Sequence, residues 1–319
     1  FNIPITTMKK VIPLVCLSLL HFVPPVYSQT ESDGLKMSKN NFCSGLNYNY
    51  SSWINYWEGT FKRHNANLGK VSSQAVALMG NYGISERFNI IFSLPYVQTH
   101  ATAGTLKGQK GLQDLSVFVK WLAFEKSLKK GTISLYSVIG GSTPTTNYAA
   151  DFLPLSIGLK SRTLNIRPII DYQLKNLFVT VSGNYIHRYN IKVERNAYYT
   201  DKLIYSNEVF MPNVFSSKFG IGYRKEDMIF ELVIDTWNTL GGFDIRKNDM
   251  PFPSNKMNMA RAGVNIKFPF KKPNGLALVA NSFYTLGGRN VGQSSSIMVG
   301  LFYVVGFGSK KDLSTQTQK

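Results

Sequence analysis

Cysteine is almost missing from this chain: Cys16 and Cys43 are the only two among 319 residues. Cys16 falls in an N-terminal apolar stretch that reads as removable, which would leave Cys43 alone, and one cysteine cannot close an intramolecular bridge. Histidine is scarce as well, at His21, His64, His100 and His187. No His-x-x-x-His, Gly-x-Ser-x-Gly or Cys/His pairing is present, so a zinc site or a nucleophile elbow finds no support. The pairs Gly241-Gly242 and Gly287-Gly288 are not followed by the Gly-Lys-Ser/Thr that a phosphate loop needs. Catalytic residues, metal ligands and cofactors are therefore not expected. The nearest hydrolytic arrangement would be His187 with Ser182 and Asn184, the basis of a third-ranked reading as a membrane-embedded lipid hydrolase.

Acidic residues are few: 18 Asp+Glu against 36 Lys+Arg, with all charged residues making up 17%. The basic residues are scattered rather than run together, which argues against nucleic acid as a partner. Long apolar runs are missing too. Val11 to Val23 is too short to span a bilayer stably, and no later run reaches about 18 residues, so no transmembrane helix is expected.

What the chain does have is aromatics, 13%, with 17 Tyr and 21 Phe, and an export signal. Met8-Lys9-Lys10 followed by the apolar stretch and Pro24-Pro25-Val26-Tyr27-Ser28-Gln29 reads as a signal peptide cleaved after Ser28, with residues 1–7 an upstream extension. An exported chain without a helical span is either soluble or a membrane β-barrel.

Period-two alternation runs through most of the remainder. Leu115, Val117, Val119 and Trp121 oppose Asp114, Ser116 and Lys120; Met228, Phe230, Leu232 and Ile234 oppose Glu231 and Asp235. Successive side chains of a strand point to opposite faces, so this is the strand signature. The segments run about 10 to 14 residues, longer than soluble strands and right for tilted membrane strands. Several apolar faces end in an aromatic, as the interfacial girdles of a barrel require. Short turns alternate with long connections near 98–110, 141–161, 190–212 and 239–255. The expected fold is an all-β, outer-membrane-type antiparallel transmembrane β-barrel of about twelve strands over 55–307. A flexible segment over 29–54 precedes it, and a polar tail over 308–319 follows.

On that reading Asp114, Lys120, Arg167, Asp171, Lys218, Glu231, Asp235, Arg261 and Lys267 face the lumen, together with Glu58 and Lys62. Both signs are present, so a network of paired charges is expected. It either fills a narrow barrel or lines a selective passage. The segment GGFDIRKNDMPFPSN (241–255) lacks the ligand spacing of a calcium loop. It is expected to be a folded loop at the pore mouth, with Asp244, Arg246, Asp249 and Phe252 in it and Arg289 nearby.

NYGISERFNIIFSLPYVQ (81–98) and KGLQDLSVFVKWL (110–122) contain Tyr82-Gly83, Leu94-Pro95-Tyr96-Val97 and Gly111-Leu112-Gln113-Asp114-Leu115; LPLSIGLKSRTLNIRP (153–168) follows. These segments resemble the outer-membrane barrel family named after the meta-cleavage pathway of phenol degradation. The resemblance covers about residues 55–307. It implies an outer-membrane transporter or channel for small hydrophobic or aromatic solutes, and it brings no established functional residues to carry over. The expected location is the outer membrane of a Gram-negative-type bacterium, with outer-membrane lipid and lipopolysaccharide as neighbours. A closed structural, adhesive or receptor barrel is the alternative.

Overall fold

The alternating segments become strands because an apolar face on one side and a polar face on the other can be satisfied together only by a sheet. A computed structural model describes residues 30–247 and 249–307; the expected signal peptide and the 308–319 tail lie outside the described residues. Twelve long strands form the wall. They are β1 (Asn41–Trp53), β2 (Val71–Gly83), β3 (Phe88–Ala101), β4 (Asp114–Leu128), β5 (Gly131–Pro144), β6 (Thr163–Leu174), β7 (Leu177–Arg188), β8 (Val214–Lys225), β9 (Met228–Thr239), β10 (Asn258–Pro269), β11 (Leu276–Arg289) and β12 (Ser295–Gly306). Each is hydrogen-bonded antiparallel to its sequence neighbours. β1 also pairs with β12, so Leu46 lies between Leu78 on one side and Leu301 on the other. The sheet has no free edge. That is the condition for crossing a bilayer, where an unpaired backbone group costs several kcal/mol.

The alternation resolves into an outside and an inside. Val117, Val119 and Trp121, Ile166 and Ile170, and Phe230, Leu232 and Ile234 are exposed on the outer wall. Lys120, Asp171, Glu231 and Lys267 are buried inside it. Large apolar groups outward with charge inward is a soluble sheet protein turned inside out, as a lipid environment demands.

Two sequence expectations change. Segment 29–54 was expected to be flexible, but it carries β1, whose Phe42, Leu46, Tyr48 and Tyr50 alternate with Asn41, Cys43 and Asn47. Segment 55–66, expected as a wall strand, is instead a small hairpin of Asn55–Glu58 and Phe61–His64, reversed at Gly59 with φ 57°. Glu58 and Lys62 consequently do not line the lumen: Glu58 pairs with Arg63 at 3.0 Å and Lys62 lies over the Trp57 ring. The strand count stands because one strand is gained where one is lost.

Short turns at 84–87, 129–130, 175–176, 226–227 and 270–275 gather at one end with Asn41 and Gly306. Longer connections at 54–70, 102–113, 145–162, 189–213 and 240–257 gather at the other, where small hairpins and a shared apolar cluster order them. By the usual topology the short-turn end is periplasmic and the long-loop end extracellular.

Candidate functional site: the lumen and its two closures

The inward residues of β4 and β6 to β10 place charge along the lumen, and nearly all of it is paired. Lys218 Nζ meets Glu231 Oε2 at 3.2 Å, Arg261 takes both oxygens of Asp235 at 2.7 and 2.8 Å, and Arg224 holds Asp171 at 3.2 Å while lying over the Phe178 ring. The cross-strand register explains the second pair, since Asp235 lies directly opposite Arg261, whereas Lys218, also opposite Asp235, reaches along β9 to Glu231 instead. Asn265 Nδ2 donates to Glu231 Oε2 at 2.7 Å, extending the network into β10. Lys267 is also inside and buried.

The remaining lumen cations find their partners in a segment that sequence reasoning did not place inside. Residues 30–40 enter at the short-turn end, where Asn40 N donates to Gly83 O at 2.8 Å, and lie within the barrel. Lys120 Nζ donates to Thr30 O at 3.0 Å, Asp33 O at 2.7 Å and Asp33 Oδ1 at 2.8 Å, and Arg167 reaches Glu31 at 3.6 Å. Asn89 Nδ2 donates to Met37 O at 3.0 Å, and Met37 packs with Cys43, Phe302 and Val304. These anchors come from β12, β1, β3, β4 and β6, neighbouring strands of one arc of the ring, so the segment is held against that side of the lumen. Its backbone runs close to the wall at two points. A Cβ on Gly34 would meet the Asp171 carboxylate at 2.1 Å, and one on Gly83 would meet Ser38 O at the same distance. The Tyr82-Gly83 pair therefore has a physical reason here: only glycine lets the inner segment pass the end of β2. Between the segment and the β8–β11 wall remains a cavity of about 270 Å³ lined by Asp33, Lys218, Glu231, Arg261 and Asn265 among others.

The outer closure is made by loops. Phe252, Tyr198, Ile191, Val193, Val209, Met211 and Ala150 form one apolar cluster joining loops 145–162, 189–213 and 240–257, with the Phe252 and Tyr198 rings stacked at 5.2 Å. Phe252 thus holds the loops to one another. Gly241 and Gly242 turn the chain out of β9 with φ 132° and 91°. Asp244 is tied outside its own loop: Arg289 Nε and Nη2 donate to its two oxygens at 2.7 and 2.5 Å, and Asn290 Nδ2 donates at 2.7 Å. The Arg289 guanidinium holds the Asp244 carboxyl below its ordinary value. Asn290 Oδ1 accepts from Gly59 N and Ile245 N, knitting three connections together. Arg246 pairs with Asp249 within the loop and lies 3.8 Å from the Tyr199 ring centre. At the mouth below, Asp114 accepts from the Tyr148 hydroxyl at 2.7 Å. Of the residues expected in the lumen, Glu58 and Lys62 lie instead in the 55–64 hairpin, and the inner partners Glu31 and Asp33 were missed.

The hydrolytic arrangement does not assemble. Ser182 and Asn184 are buried on the lumen side of β7, whereas His187 is exposed on the other face, its ring edge against Tyr189. Among the described residues no group of three His, Cys, Asp or Glu could hold a metal ion.

No protein-family model matches the chain, and no curated protein sequence does. The structure is similar to that of the COG4313 outer membrane channel from Pseudomonas putida F1, with a TM-score of 0.67 and 14% identity over 84% of this chain and 97% of that one. The fold is that of an outer-membrane β-barrel. Looser likeness extends to the NanC porin, with a TM-score of 0.45, 9% identity and coverage of 81% and 98%. It extends also to the translocator domain of the autotransporter NalP from Neisseria meningitidis, at 0.43, 12%, 82% and 87%.

Proposed function

We propose that the protein is a passive outer-membrane channel for small solutes, with hydrophobic or aromatic compounds the class to which the motif resemblance points. The observation that carries this reading is the inner segment. It fills the charged lumen by hydrogen bonds and ion pairs rather than by wall side chains packed across a narrow core, and it leaves a polar cavity beside it. A wall closed for good needs no such removable stopper. Passage is diffusive. The location is the outer membrane of a Gram-negative-type bacterium, with lipid and lipopolysaccharide around the wall. The same two closures favour a second reading, a sealed barrel acting as a structural or receptor protein.

Planar-bilayer conductance and liposome swelling separate the two. A channel gives discrete conductance steps, and swelling with small aromatic solutes exceeds that with sugars of similar mass. If neither the full chain nor a chain lacking residues 30–40 conducts or admits any solute, the sealed barrel stands and the channel does not.

A further inference from the structure

A large cavity lies away from the lumen. About 860 Å³ opens at the extracellular rim between loops 145–162 and 189–213, over the ends of β5 to β8. Its lining holds Lys160, Arg162, Arg188 and Lys192, with His187, against a single carboxylate, Glu208. Glu208 is itself engaged, accepting from Asn190 Nδ2 at 3.0 Å. The lumen cations described above nearly all have acids beside them. By contrast, among the described residues neither Arg162 nor Lys192 has a carboxylate within ion-pair distance, and Arg188 Nη1 is buried without a hydrogen-bond partner. Lys160 Nζ contacts the Asn147 amide oxygen.

The register says which way this cluster faces. Arg162 continues the outward row of Leu164, Ile166 and Ile170. His187 and Tyr189 continue that of Val181 and Tyr185, and Asn213 that of Phe215 and Phe219. Arg162 and His187 therefore stand directly above the apolar band that meets lipid, while Arg188, on the lumen-side row of β7 and over the Trp237 ring, backs the cavity from within. Tyr189 is exposed at the cavity, and so is Phe210, with 65% of its surface free. Cations above a greasy wall, flanked by exposed rings, match a molecule with an anionic head and acyl chains. Phosphate is the head that arginine and lysine recognise best, and positive residues at a membrane surface attract anionic lipid.

We infer that this rim cavity binds the phosphorylated headgroup of an outer-leaflet lipid, its acyl chains running down the wall over Leu164, Tyr185 and Phe215. The site lies outside the solute path, so it stands or falls independently of transport. Native mass spectrometry of the purified full chain tests it with bisphosphorylated lipid A, the same lipid stripped of phosphate, and soluble glucosamine phosphate as competitor. The bisphosphorylated lipid is expected to remain bound. Arg162→Glu with Lys192→Glu should weaken it by roughly tenfold or more, removing the phosphates should weaken it similarly, and Glu208→Gln should tighten it. Heat-modifiable gel migration shows that each variant is folded; if the double variant is not, Glu208→Gln carries the test. Equal binding of the phosphate-free lipid, or no change in the folded charge variants, overturns the inference. So does glucosamine phosphate competing as well as the lipid, since the cavity would then serve a free solute.

Discussion

Lys120 carries much of the inner closure. Its ammonium is wholly buried and makes three contacts with residues 30–33, so replacing it removes an anchor and leaves Asp33 inside without its cation. Breaking a buried pair from one side costs about 3–5 kcal/mol, whereas removing both charges costs less. Lys120→Met is therefore expected to make a cysteine placed at Ser32 reactive to a periplasmic thiol reagent. Asp33→Asn combined with Lys120→Met should restore part of the protection. Labelling rates for the two variants check this, and equal rates in both would show that the pair does not anchor the segment. Asp244 makes a second prediction at this scale. Its carboxyl is held below the ordinary value of 3.8, chiefly by hydrogen bonds from Arg289. A depressed carboxylate stabilises the folded loop at pH values above its unfolded value. That contribution is lost as pH falls through the folded one. Loop 240–257 should stay resistant to an acid-tolerant protease at pH values that begin to protonate ordinary carboxylates and become cleavable only in stronger acid. Asp244→Asn should remove that dependence.

Among the elements, the wall strands were legible and the first one was not. Met228–Thr239 announces itself because Phe230, Leu232 and Ile234 alternate with Glu231 and Asp235, large apolar against charged. In β1 the outward row is broken by Ser44 and the inward row is Asn, Cys and Gly, so the contrast is weak; Leu46-x-Tyr48-x-Tyr50 was the available signal. The opposite error came from aromatics in 55–66, where Gly59-Thr60 already spelled a two-residue reversal. The inner segment had no local signature. Its partners Lys120 and Arg167 lie far along the chain, and tertiary pairing of that kind leaves no periodicity to read. Once located, it makes an electrostatic prediction. Deleting residues 30–40 removes Glu31 and Asp33 but leaves Lys120 and Arg167. The shortened barrel should conduct more and also shift toward anions, since fixed cations in a pore attract them. Reversal potentials under a salt gradient check the second point, and a wider pore with unchanged selectivity would mean that those two cations find other partners.

For the molecule as a whole, strand number and the in-and-out sorting of charge followed from alternation, turn spacing and aromatics together, because a bilayer tolerates few alternatives. The two closures did not follow, since loops 189–213 and 240–257 meet through Tyr198 and Phe252, which nothing in their own segments pairs. The ring itself has a temporal consequence. Leu46 must find Leu301 across almost the whole chain, the kind of distant pairing that makes assembly slow and late. Since residue 40 runs straight into the strand that makes this join, stopper and seam belong to one continuous segment. A ring closed by that strand would close with its occupant attached, whereas a chain beginning at Asn41 would close the same ring around water.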